Sequence, residues 1–392
     1  MRRSERLWRS TILLLFMLFS SSAAATLCSL DADDHQHDDC RFLAIFNFGD
    51  SNSDTGGLAA TFSAPKTPFG QTYFGMPQGR LSDGRLVIDF IAESLGIPYL
   101  SAYLDSLGTN FAQGANFATS ASPITPATSV MPVGKFSPFD LDVQYWQFTE
   151  FKNRSQIIRN RGGIYKDMMP KEEYFGRALY TFDIGQNDFG ERFFAHQTME
   201  EVTSAIPLII DTFSSSIKKF YETGARSFWI HNTGPIGCLP YILDNLPNIQ
   251  LDSAGCAKPY NDVCQHFNHE LKTAVVDLRK SLPGAAITYV DVYSVKYSLY
   301  EDPKTHGFEK PLVACCGYGG KYNYNGKAGC GETMDVNGTE IFIGSCKDVS
   351  VRVNWEGIHY TEAANKYIFH QIATGKFSDP PIPLKMACKS SF

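Results

Sequence analysis

Short apolar runs that stop at glycine-containing polar turns alternate along this chain with longer segments whose apolar residues recur at helical spacing. Leu43-Ala44-Ile45-Phe46-Asn47-Phe48 reads as a strand ending abruptly at Gly49-Asp50-Ser51. Ala178-Leu179-Tyr180-Thr181-Phe182 reads as a second, running into Gly185-Gln186-Asn187-Asp188. Ser227-Phe228-Trp229-Ile230 and Ala286-Ile287-Thr288-Tyr289-Val290 read as two more. Between and after them, helices are predicted over Leu86 to Leu95 with Gly96 as stop, over Glu200 to Tyr221 stopping at Gly224, over Tyr260 to Leu282, and from Thr361 onward. Strands alternating with helices long enough to cross over predict an α/β fold, a parallel sheet covered on both faces. The Gly- and Cys-rich stretch from Tyr300 to Cys346 reads as a long stapled excursion, and no repeat or low-complexity linker divides the chain.

The N-terminus follows another pattern. Arg2, Arg3, Arg6 and Arg9 precede a short apolar run from Thr11 to Phe19 and a small-residue stretch ending at Ala25. This is the layout of a secretory signal peptide over residues 1–25. The run is too short for a membrane-spanning helix, which needs roughly 20 residues, and no other stretch reads as transmembrane. Residues 26–41 form a polar tail. Its Asp31 to Asp39 portion, rich in Asp and His, reads as solvated and not as a metal site. Residues 42–392 then form one domain.

Of the 392 residues, 43% are hydrophobic, enough for a large core. The formal net charge is −6, and removing a leader with four arginines and one glutamate takes it to −9. Such a chain does not bind nucleic acid by neutralising phosphates and gains nothing from anionic membrane surfaces. Ten cysteines (Cys28, Cys40, Cys238, Cys256, Cys264, Cys315, Cys316, Cys330, Cys346 and Cys388) with no Cys-x-x-Cys among them speak for disulfides in an oxidising compartment, most of them paired, and against zinc or thioredoxin-like chemistry. Asn153 and Asn337 head glycosylation sequons.

Candidate chemistry gathers where strands end, because ligands of parallel sheets bind at carboxyl ends. Ser51 on its turn is a candidate nucleophile, backed by the backbone amides an oxyanion needs. Taken alone, Gly-Asp-Ser is more often a plain turn or helix cap. His359, just ahead of the last helix, is a candidate base, with Glu356 three residues earlier, across Gly357, to orient it. A surface histidine beside an acid is the competing reading. No Gly-x-Ser-x-Gly elbow, P-loop, dinucleotide fingerprint or His-Glu-x-x-His occurs.

Four blocks decide between these readings. Phe46 to Gly57, Gln113 to Ala118, Asp183 to Asp188 and Trp355 to Asn365 resemble, in order, the four sequence blocks of plant GDSL esterase/lipases in the SGNH hydrolase superfamily. The likeness spans nearly the whole chain beyond the leader. It implies a three-layer α/β/α sandwich around a central parallel sheet, Ser51 as nucleophile, and His359 as base and then acid. It also implies the Ser51 and Gly114 backbone amides and the Asn187 side-chain amide as oxyanion donors. Asn52 stands where the family has Leu or Ile, in wording similar to a branch with acetylesterases of specialised metabolism and cell-wall deacetylases. Glu356 stands where the family usually has Asp, and its extra methylene shifts the carboxylate.

The expectation is a secreted serine esterase, extracellular or in the cell wall, apoplast or vacuole. It would act on a small-molecule, glycan or lipid ester with no metal or organic cofactor. An acyltransferase using the same residues and a catalytically silent glycan-binding or defence protein remain alternatives. Acyl length, alcohol and oligomeric state stay open. Intact-mass analysis of the protein from a native secretory route is expected to give an N-terminus near Thr26, disulfides and glycan at Asn153 or Asn337. Free thiols at most cysteines would contradict the oxidising compartment.

Overall fold

The computed structural model describes residues 40–388 apart from Ser106 and residues 246–248; the leader, Cys28 and the Asp31–Asp39 stretch lie outside them. Each predicted strand is there within a residue or two: β1 Ala44–Gly49, β3 Ala178–Asp183, β4 Ser227–His231 and β5 Ala286–Val290. The three-residue β2, Gly114–Asn116, lies between β1 and β3 in the chain. Two short strands, β6 Thr333–Val336 and β7 Thr339–Phe342, form a separate antiparallel hairpin. Ser378–Asp379, β8, completes the main sheet. Sheet order is β2-β1-β3-β4-β5-β8, parallel except for β8, which runs antiparallel to β5.

Eleven helices flank these strands among the described residues. In chain order they are α1 Gly57–Thr61, α2 Val87–Ser94, α3 Leu141–Arg161, α4 Glu172–Gly176, α5 Gln186–Phe194, α6 Met199–Ser204, α7 Ile206–Glu222, α8 Pro240–Asn245, α9 Lys258–Ser281, α10 Val292–Glu301 and α11 Glu362–Ile372. The single helix expected over Glu200 to Tyr221 is two, α6 and α7, which meet at Ala205. Pro207 in the first turn of α7 has no amide to donate back to Thr203, so the ladder restarts there. α11 begins where Thr361 caps it, its hydroxyl accepting from the Ala364 amide at 3.2 Å.

Strand alternation builds the layers. Ala44, Phe46, Phe48, Tyr180, Phe182, Phe228 and Ile230 point to one face, where they pack with residues of α3, α7 and α9. Ile45, Leu179 and Trp229 point to the other, against α2, α10 and α11. The result is an α/β/α sandwich whose strands are buried on both sides, which is why they read as apolar runs. Phe148 of α3 is fully buried, with ring centroids 5.3 Å from Phe46, 5.7 Å from Phe48 and 5.6 Å from Tyr180. No helix among the described residues is long and apolar enough to cross a membrane.

Four disulfides join Cys40 to Cys388, Cys238 to Cys256, Cys315 to Cys346 and Cys316 to Cys330, while Cys264 is a buried free thiol. The last two pairs staple the excursion read from the sequence. Because Phe148 sits at the centre of the aromatic layer, Phe148→Ala is expected to cost about 3–5 kcal/mol in equilibrium unfolding. A loss below about 1 kcal/mol would show that the layer does not depend on it.

Candidate active site

The chain leaves β1 toward β2 on one side and later returns to β3 on the other, so β1 and β3 flank the point where the connections reverse direction. That crevice, at the carboxyl ends, is where open parallel sheets bind ligands. Ser51 follows β1 and Asn187 follows β3. Gly49 and Asp183 are register partners, and the Asp50 amide extends the ladder by donating to the Asp183 carbonyl at 3.1 Å.

Buried polar side chains fix the turn around Ser51. Gln144 of α3 clamps the end of β1, accepting from the Gly49 amide at 2.9 Å and donating to its carbonyl at 2.8 Å. Asn116 donates to the Ser53 carbonyl at 2.6 Å and to the Thr55 hydroxyl at 2.9 Å. Asp54 accepts from the amides of Gly56 and Leu58 at 2.8 and 3.1 Å and of Ser120 at 2.7 Å, so it joins this turn to the one after β2. Asp188 does the same for the Asn187 turn, accepting from the amides of Ile124 and Thr125 at 2.7 and 2.9 Å. The Asn187 amide itself donates to Asp50 Oδ2 at 3.2 Å and to the Ser122 carbonyl at 3.1 Å. Asp50, Ser51, Asn187 and the turn at residues 119–122 therefore share one place.

Gly114 is not part of it. It pairs with Ile45, near the start of β1, and its amide donates to the Phe111 carbonyl at 3.0 Å. Its φ is +119°, and a Cβ there would strike the Ile45 carbonyl. The glycine is required by the close approach of β2 to β1 and has no free donor for an oxyanion. Sequence reading took the most conspicuous glycine of its block and missed Ala121, seven residues on. Ala121 holds φ +65°, a left-handed conformation uncommon for a residue with a Cβ. Among the described residues, the amides of Ser51 and Ala121 donate to no group. They and Asn187 are donors of the kind that stabilises a developing oxyanion.

The loop carrying His359 is held by its own turn and by the stapled excursion. The Trp355 amide donates to the His359 carbonyl at 2.7 Å, and the Gly357 amide to Asn354 Oδ1 at 2.7 Å. The amides of Cys315 and Cys316, both in disulfides, donate to the carbonyls of Asn354 and Trp355 at 3.0 and 2.7 Å. Gly357 has φ +110°, and a Cβ there would run into the ring of Tyr324, which comes from the excursion. In this turn Glu356 Oε1 contacts His359 Nδ1, and Glu356 Oε2 accepts from the His359 amide at 3.3 Å. The longer side chain of glutamate therefore still reaches the imidazole. A carboxylate at Nδ1 keeps the proton there, leaving the Nε2 lone pair available. His359 Nε2 is buried and has no hydrogen-bond partner.

A second buried histidine, His231, differs in this respect. Its Nε2 accepts from Trp229 Nε1 at 3.1 Å and its Nδ1 lies 3.0 Å from Asp183 Oδ2. An indole only donates, so the proton sits on Nδ1 and both nitrogens are engaged. Burial raises the Asp183 carboxyl, but the His231 hydrogen bond and the charge of Lys296 outweigh it and hold it below its usual range. Asp50 is pushed up to about 7 by burial and then by Asp183, against the opposing effect of Asn52 and Lys296. The described residues contain no cluster of His, Cys, Asp and Glu able to hold a metal ion.

Comparison with known proteins agrees with this architecture. Residues 45–372 match the family model described as GDSL-like Lipase/Acylhydrolase. The chain is 59% identical over 351 residues to a Hevea brasiliensis protein named esterase, covering 89% of this chain and 90% of that one. It is 55% identical to the GDSL esterase/lipase ENOD8 of Medicago truncatula, covering 89% and 90%. It is 54% identical to an Arabidopsis thaliana protein named alpha-L-fucosidase 3, covering 95% and 99%. The chain belongs to the GDSL-like lipase/acylhydrolase family. It is a carboxylic ester hydrolase.

Asp50 supplies a pH signature. Its raised value means that the folded state binds more protons than the unfolded chain above the ordinary aspartate range. Its stabilising contribution is thus complete below that range and is lost as pH rises through about 7. Relative to the parent, Asp50→Asn is expected to gain on the order of a few °C in Tm between about pH 5 and about pH 8. Parallel Tm–pH curves for the two proteins would contradict the assignment.

Proposed function

We propose that this chain is a secreted serine esterase that works through an acyl-enzyme on Ser51. The observation that carries the reading is His359, whose Nδ1 is engaged by Glu356 while its buried Nε2 has no partner. In this mechanism Nε2 takes the Ser51 proton as Oγ attacks the ester carbonyl. The oxyanion is received by the Ser51 and Ala121 amides and by the Asn187 side chain, which exchanges one of its resting bonds for it. His359 returns the proton to the leaving alcohol, then activates the water that frees the acid. Glu356 holds the tautomer and stabilises the imidazolium. No metal or organic cofactor enters these steps.

The substrate is an acyl ester of a glycan, specialised metabolite or lipid, with short acyl chains preferred. Asn337, exposed with Gly338 at the turn of the β6–β7 hairpin, is well placed for glycan. Asn153 is exposed on α3, but Ser155 of its sequon is buried. An acyltransferase would use the same residues with an alcohol in place of water, and product analysis with an acceptor alcohol separates the two.

Turnover of p-nitrophenyl acetate tests the reading. Ser51→Ala is expected to abolish it with the fold intact, and activity in that variant would remove Ser51. Glu356→Gln is expected to lose at least about 10² in kcat with little change in KM, and Glu356→Asp to keep substantial activity. A Gln variant within a few-fold of the parent would leave His359 working without Glu356.

A further inference from the structure

Lys296 is a lysine in the wrong place for an ordinary surface cation. It lies on α10, is 4% exposed, and heads no hydrogen bond among the described residues. The loop after β4 comes down on it: a Cβ on Gly234 would lie 2.9 Å from its Cδ and 3.5 Å from its Nζ. Its ammonium sits 4.9 Å from the ring centroid of Tyr360, the residue after His359. The same ammonium acts on both buried carboxylates, Asp50 beside Ser51 and Asp183 at the end of β3. One buried cation thus faces the segments that carry Ser51, Asn187 and His359.

We propose that Lys296 is a positioning residue that offsets the buried negative charge of Asp50 and Asp183 behind the nucleophile turn, so that an oxyanion can form beside them. The inference rests on Ser51 being the nucleophile. The transition state places a further negative charge near Asp183 and a partly ionised Asp50 in a medium that screens poorly. Asp50 also competes for the donor the oxyanion needs, since Asn187 Nδ2 donates to it at rest. A more negative Asp50 holds that amide more tightly. His231 has both ring nitrogens engaged, by Trp229 and by Asp183, and burial pushes the phenols of Tyr300 and Tyr360 up, so neither phenol contributes charge near neutral pH.

The test uses p-nitrophenyl acetate and four proteins: the parent, Ser51→Ala, Lys296→Met, and Lys296→Met combined with Asp183→Asn. Lys296→Met is expected to lower kcat at least about tenfold while KM moves less than about twofold, because the effect falls on the transition state. The double variant restores the charge balance, and an asparagine Oδ1 still accepts from His231 Nδ1. It is expected to recover most of the lost kcat, which repacking alone would not produce, and being charge-balanced it folds even where the single variant does not. A Lys296→Met protein within about twofold of the parent in kcat overturns the proposal. So does a double variant that folds as the parent does but shows no recovery. Turnover that survives Ser51→Ala removes the nucleophile assignment and this inference with it. Turnover that needs Ser51 but ignores Lys296 removes this inference alone.

Discussion

The hydrogen bond from the Asp50 amide to the Asp183 carbonyl is the constraint on which the site depends. It continues the β1–β3 ladder one step beyond the strands, so two turns far apart in sequence leave the sheet at the same level. Parallel pairing makes this possible, since both strands end on the same edge. A shift by one residue would turn Phe46 and Phe48 out of the aromatic layer and into the smaller space facing α2, α10 and α11. The buried aromatic core and the position of the site are therefore held by one register.

That register has an electrostatic consequence. It brings the side chains of Asp50 and Asp183 together away from water, where burial and mutual repulsion push Asp50 up. The fold answers with hydrogen bonds from Asn52, Asn187 and His231, and with the charge of Lys296. The His359 loop needs a different support, because it follows no strand of the sheet. Its carbonyls at Asn354 and Trp355 are held by the amides of two adjacent disulfide-bonded cysteines, and its glycine by Tyr324. The Cys-rich excursion is thereby tied to the site at its backbone, and a chain that keeps such disulfides suits an oxidising compartment.

Much of this was legible in the sequence because it is local. β1, β3, β4 and β5 are mostly apolar runs, α2 and α9 stop ahead of Gly96 and Pro283-Gly284, and α11 opens on its Thr361 cap. The Glu356–His359 contact spans three residues and one glycine. What escaped is long-range or conformational. α3 is mostly polar, and its buried side chains include Gln144, whose role is visible only against Gly49. Three-residue β2 is too short for any period to show. Gly114 satisfied its block's pattern for a packing reason, whereas Ala121, with an ordinary side chain in a left-handed conformation, carried no sequence signal. Lys296 looks like any helical lysine until α10 is laid against the sheet.

The central claim is that the turn after β1 presents a serine activated by His359. A fluorophosphonate reacts covalently only with such a hydroxyl, so the most direct measurement is peptide mapping of the labelled protein by mass spectrometry. The account predicts one adduct, on Ser51 and not on the neighbouring Ser53, with esterase activity lost in proportion to labelling. An active protein that loses no activity to the reagent, or that is labelled and inactivated at another residue with Ser51 unmodified, would contradict it.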